Sequence, residues 1–205
     1  MKLEDKLAAL ADCGITLGPQ FTVQDLLDRE DGDREHMDDT DLLMFLYIIG
    51  LRNVVLGDSD EPCGSLSPQV HTFDTECIEG PGSYAPLLTE LAAMTQGALV
   101  LGDIDDQVDF AQERAQLSFT CSGQRVTVAF DQDGDWFAPR VLDSLAALLN
   151  GSGSPLRFFA MDSGDQCAMT GCLLPEQIKQ LNTLGVPTTI YNQTFPLDGC
   201  TVTPV

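Results

Sequence analysis

The chain has 205 residues, 43% hydrophobic and 7% aromatic, and sets 32 Asp and Glu against ten Lys and Arg for a formal charge of −22. That length and apolar content suit one folded domain, residues 1–205, rather than a disordered acidic chain. Direct nucleic-acid binding is excluded, because phosphates need a cationic surface to displace counterions, and an anionic membrane surface repels such a chain.

Leu3, Leu7 and Leu10 predict a helix over residues 2–13, ending near Gly14. Thr22 and Asp25 can cap one another reciprocally, with Phe21 and Leu26 as the hydrophobic staple of a second helix. Asp28 to Asp41 is an acidic run, and Leu42 to Ile49 a helix apolar nearly all round, hence buried. Residues 57–83 read as loop, with a strand at Val70–Phe73. Ser83 opens a helix with Leu87, Leu88, Leu91 and Met94 on its apolar stripe, stopped by Gly97. Leu117, Phe119 and Cys121, then Val126, Val128 and Phe130, alternate as strands joined by Ser122-Gly123. Asp131 to Gly134 is a turn leading to Trp136, and Pro139 starts a helix closed by Gly151. Strands at Leu156–Ala160 and Ala168–Leu173, a helix at Pro175–Leu184 and a strand at Val186–Tyr191 follow.

This order predicts an α+β fold: a helical N-terminal part, then a mainly antiparallel sheet with helices packed on one face. The helical subregion is 1–57, the irregular acidic stretch 58–82 and the sheet-plus-helix core 83–205. The N-terminus does not read as a signal peptide, since Glu4, Asp5 and Asp12 interrupt it. The longest apolar run, Leu42 to Gly50, is far short of the ~20 residues a membrane helix needs. Seven scattered cysteines without a CxxC pair read as reduced thiols, and the expected location is cytoplasmic.

The means of catalysis are scarce. His36 and His71 are the whole histidine supply, and no nucleophile elbow, phosphate loop or zinc-protease motif occurs. His71 lies between Cys63 and Cys77, but the spacings match no zinc module. Asp131-Gln132-Asp133-Gly134-Asp135 carries its Gly at position four instead of the six a calcium loop requires, and Asp and Gly are also what a tight turn uses. No cofactor, no metal and no enzymatic activity are therefore expected.

Charge is unevenly spread. Between Arg52 and Arg114 lie 61 residues with no Lys or Arg, and twelve acids from Asp58 to Glu113. Those carboxylates must be solvated, matched by distant cations, or offered to a basic partner, whose approach such a field accelerates. Solubility alone is the plain alternative.

Phe21-Thr22-Val23-Gln24-Asp25-Leu26-Leu27, Phe73-Asp74-Thr75-Glu76-Cys77-Ile78-Glu79, Gly97-Ala98-Leu99 with Asp103-Ile104-Asp105-Asp106, Asp135-Trp136-Phe137, Arg157-Phe158-Phe159 and Asp165-Gln166 form a familiar series. Together, over most of residues 15–185, the chain resembles small acidic bacterial immunity proteins encoded beside polymorphic or contact-delivered toxins. The resemblance implies a non-catalytic role: binding a cognate toxin domain in the cytoplasm and blocking its active site or channel; many toxins of this kind are nucleic-acid-targeting enzymes with basic clefts, which agrees with the charge.

Two candidate partner-binding segments follow. One is Phe73–Glu79, carrying Asp74, Glu76 and Glu79; if extended, Asp74 and Glu76 point together and Glu79 points away. The other is the turn of Asp131, Asp133, Asp135 and Trp136, where Trp136 is either an interface anchor or a core residue of the next helix. An acidic adaptor or scaffold module without a toxin, and a carboxylate- or metal-dependent enzyme, are the competing functions.

Overall fold

In a computed structural model, residues 1–30, 32–51 and 64–205 are described. In chain order the elements are α1 (Leu3–Asp12), α2 (Val23–Arg29), α3 (Arg34–Asp39), α4 (Leu42–Gly50), β1 (Val70–Asp74), α5 (Tyr84–Ala93), β2 (Leu101–Asp109), β3 (Arg114–Cys121), β4 (Gln124–Asp131), α6 (Pro139–Gly151), β5 (Arg157–Met161), β6 (Cys167–Leu173), α7 (Pro175–Thr183), β7 (Thr188–Ile190) and β8 (Cys200–Pro204). The class is α+β with a helical N-terminal part, as the sequence predicts. The strands form two four-stranded sheets, and contacts divide the chain into two compact units. Cys63 lies outside the described residues.

The first unit is Met1–Phe73 with Phe158–Ile190. Three of its helices, α2, α3 and α4, start on side-chain caps. Thr22 Oγ1 accepts from Asp25 N at 3.2 Å while Asp25 Oδ2 accepts from Thr22 N at 2.6 Å. Asp33 Oδ1 accepts from His36 N and Asp41 Oδ1 from Met44 N, both at 2.8 Å. The acidic run thus contains a short helix, α3, and two of its acids satisfy amides that a helix start leaves open. Leu3, Leu10, Leu26, Phe45, Phe159 and Leu173 are buried in one core with their neighbours. Each such side chain contributes about 1.5–3 kcal/mol. The sheet runs β1-β6-β5-β7, and Gly171 in β6 leaves the space that the Phe159 ring fills.

Lys6 is 1% exposed, an unusual position for an ammonium group. Its Nζ donates to the carbonyls of Met37 and, at 3.1 Å, Asp38, at the C-terminal end of α3, and lies 5.7 Å from the Phe45 ring centre. A cation there meets the negative end of the helix dipole. Desolvation pulls its pKa down, against the pull of Asp38, Asp39 and Asp41.

On the surface above it, Asp38 accepts from Lys2 Nζ and Leu3 N, each at 2.7 Å, and Glu4 pairs with Arg34. Those hydrogen bonds hold both carboxyls below their ordinary pKa. A carboxylate whose folded pKa is lowered stabilises above its unfolded value and loses that contribution as pH falls through the folded one. The α1–α3 pairing is therefore expected to loosen below about pH 4. The Leu3 amide resonance in a pH titration checks this; a shift first appearing near neutrality would contradict it.

The second unit is Asp74–Arg157 with Tyr191–Val205. Its sheet runs β2-β3-β4-β8, each adjacent pair antiparallel. Ser122 and Gly123, at φ 50° and 74°, make the predicted two-residue hairpin that fixes the Cys121–Gln124 register. Leu117, Phe119, Val126 and Val128 point to the buried face. That face is closed by α5 against β2 and α6 against β4, with Leu87, Leu88, Leu91, Val141, Leu145 and Leu149 buried.

Two strands carry no alternation legible in sequence. In β2, a bulge between Gly102 and Asp105 places Asp103 at φ 47° and turns Asp106 inward, to 5% exposure. In β8, the bonds Ala129 N to Gly199 O (2.8 Å) and Val205 N to Gly123 O (3.2 Å) direct Thr201 and Thr203 toward β4. Cys200, Val202 and Pro204 then face outward. Cys200 N is already bonded to Leu197 O at 3.0 Å, and proline has no N–H. This edge therefore resists strand addition.

Candidate functional surface

Two segments nominated independently from the sequence meet in the second unit. Glu76 and Trp136 form an antiparallel bridge. On either side of it, Ile78 N donates to Asp135 O at 2.9 Å and Phe137 N to Thr75 O at 2.6 Å. The carboxylates of Asp74, Glu76, Glu79, Asp131, Asp133 and Asp135 are all on exposed residues.

Extension through 74–78 is not what joins them. Asp74 Oδ1 accepts from Glu76 N at 2.9 Å, which turns the chain at the end of β1. Asp74 and Glu76 face solvent while Ile78 is fully buried, so residues 74, 76 and 78 do not share one environment. Trp136 is 40% exposed, and the buried anchor before α6 is its neighbour Phe137.

The turn is held from beneath. Gln132, buried between exposed aspartates, donates from Nε2 to the carbonyls of Gly134 (2.9 Å) and Trp136 (2.7 Å). Its Oε1 accepts from Tyr84 Oη at 2.6 Å, and Tyr84 Oη in turn accepts from Ala138 N at 3.2 Å. Desolvation raises the Tyr84 phenol to about 12, so it stays protonated and a donor at any physiological pH. Tyr84 also meets Phe130 edge-on at 5.5 Å. Trp136 N bonds Asp133 O at 3.0 Å. The indole is thus displayed from a backbone fixed by other groups, which lowers the ordering cost of any contact it makes.

Sequence reasoning missed Gln132 and Tyr84. Their signal was faint: an amide within an aspartate turn, and a tyrosine at a helix start.

Several acids elsewhere among the described residues have a local task. Asp33 and Asp41 cap helices, Asp25 accepts from Thr22 N in the capping box, Asp38 and Glu4 bind cations, and Asp109 accepts from Ala111 N and Gln112 N at 3.0 Å. Among the described residues, the side chains of Asp131, Asp133 and Asp135 have no hydrogen-bond or ion-pair partner. The second unit holds fourteen acids and four arginines. Two of those arginines serve neutral acceptors: Arg125 donates to Ser118 Oγ at 2.9 Å, and Arg157 to the Ser154 and Leu156 carbonyls at 2.7 and 2.6 Å.

Among the described residues no group of three His, Cys, Asp or Glu is arranged to hold a metal ion, and no helix is long and apolar enough to cross a membrane. No protein-family model matches the chain, no curated protein matches its sequence, and no solved structure matches its fold.

Proposed function

We propose that the protein is a non-catalytic bacterial immunity protein that binds and neutralises a cognate basic toxin domain in the cytoplasm, with the Glu76–Trp136 corner as contact surface. The observation that carries this reading is the meeting of the two acid-bearing segments around an exposed tryptophan whose backbone is pinned by buried bonds. A central aromatic with a charged rim is how interfaces concentrate binding energy while steering encounter. The motif resemblance supplies the toxin, and the negative field supplies its sign.

The test is co-expression with a candidate basic toxin domain, together with association rates across ionic strength. Protection of the cells is expected. So is an association rate falling tenfold or more between about 10 and 150 mM salt. Unprotected cells, or an association indifferent to salt, would overturn the proposal.

A further inference from the structure

The Trp136 turn is one end of a longer surface. Phe110, 43% exposed, stands at the tip of the β2–β3 turn. That turn is braced by Asp109, whose Oδ1 accepts from Ala111 N and Gln112 N. It is tied to the other turn by Gln132 N donating to Glu113 O at 2.9 Å. Between them run two open grooves that share Arg114 and Asp131. One, of about 630 Å³, extends along Phe110, Ala129 and Phe130; the other, of about 410 Å³, runs from Gln112 to Asp133. Together they present Asp109, Glu113, Asp131 and Asp133 against a single guanidinium, Arg114, which the strand register places between Asp109 and Asp131.

We propose that this end of the β2-β3-β4 sheet receives an extended, arginine-bearing segment of the partner protein, seated in the grooves, with Phe110 as a second aromatic anchor beside Trp136. This rests on the partner reading above and names the chemistry of what is bound. Open grooves of carboxylates beside the exposed Phe110 ring suit guanidinium better than ammonium. The guanidinium fork pairs with carboxylates in a bidentate way, and its weakly hydrated plane stacks on rings. A lysine segment offers only a strongly hydrated point charge. An acidic or neutral peptide meets repulsion or no attraction. The sheet edge at β8 does not compete, because its outward N–H groups are nearly all spent.

The probe is a nona-arginine peptide titrated into the full chain at physiological salt, followed by amide chemical shifts and calorimetry, with nona-lysine for comparison. Shifts are expected to concentrate in residues 107–116 and 129–136, with arginine binding at least threefold tighter than lysine. Phe110→Ser, which leaves net charge untouched, should weaken nona-arginine about tenfold. Ala129→Phe, filling the larger groove from an exposed position on β4, should weaken it similarly. Asp5→Asn with Asp12→Asn, which removes two charges from the other unit, should change it less than twofold. Shifts spread over the acids of α1 and α3, or equal affinity in Phe110→Ser and Ala129→Phe, would reduce the binding to plain polyanion behaviour and overturn the proposal. Cells protected from the toxin in that event would leave the immunity reading standing while this surface fell.

Discussion

Asp106→Ala should cost the protein about 3 kcal/mol and lower its melting temperature by roughly 10 °C. The carboxylate is 5% exposed and comes from β2, yet it serves α5. It accepts from Gly82 N, from Tyr84 N at 2.8 Å and from Ala85 N at 3.0 Å. Ser83, at the helix start, supplies no side-chain cap to its own helix; its Oγ accepts instead from Glu79 N at 3.0 Å and Gly80 N at 3.2 Å. Asp106 is therefore the cap, provided from another element, and an anion at the positive end of the helix dipole. Truncation leaves three amides without their acceptor, inside or beside a helix whose Leu87, Leu88 and Leu91 close the core. Asp106→Asn keeps one acceptor oxygen and loses the charge, so about half that loss is expected. Thermal melts of both variants check the order. An alanine variant melting within 2 °C of the parent would show that the cap contributes little. Asp106 is not on the surface, so variants that remain folded should bind a basic partner as the parent does.

Asp106 also marks where sequence reading stops. It stood among twelve acids that sequence neighbours cannot neutralise, to be solvated, matched by cations or offered to a partner. Its actual partners are backbone amides some twenty residues earlier in the chain, and a long-range cap leaves no mark in local spacing. Local features were legible. The Thr22–Asp25 box, the Ser122-Gly123 hairpin and the Pro139 helix start each depend on residues within a few positions of one another. Strand β2 was hidden because Asp103, Asp105, Asp106 and Asp109 overwhelm any apolar alternation and its bulge breaks the period. Strand β8 was hidden because it is exposed almost throughout and so needs no apolar face. The partition of strands between two sheets was beyond reach for the same reason as the cap. That β6 pairs with β1, nearly a hundred residues away, is a non-local fact. The candidate surface was half legible. Both segments could be named from their acids and their tryptophan, but their meeting depends on the Glu76–Trp136 bridge, and their rigidity on Gln132 and Tyr84.

Trp136→Ala should leave stability within about 1 kcal/mol of the parent and weaken partner binding by about 2–4 kcal/mol, some 30- to 1,000-fold. A core tryptophan would behave the opposite way, losing about 3–5 kcal/mol of stability on truncation. The structure separates the two because the bonds at position 136 are backbone bonds: Gln132 Nε2 to its carbonyl, its own N–H to Asp133 O, and the bridge to Glu76. All survive removal of the indole. The charge half of the surface is tested best at Asp133 and Asp135. Reversing Asp74 would confound the result, since its Oδ1 holds the Glu76 amide at 2.9 Å and the bend between the segments depends on it. Asp133 and Asp135 have no such task, and Asp133→Lys with Asp135→Lys changes the field without cutting a bond. The pair should slow association about 10- to 100-fold at low salt, and the deficit should shrink toward nothing as salt approaches 1 M, where the Debye length is about 3 Å. Dissociation should change less than association, the reverse of the tryptophan variant, whose loss should lie in the dissociation rate. If the lysine pair binds like the parent at every salt concentration, the free aspartates are there for solubility and the partner contacts another face.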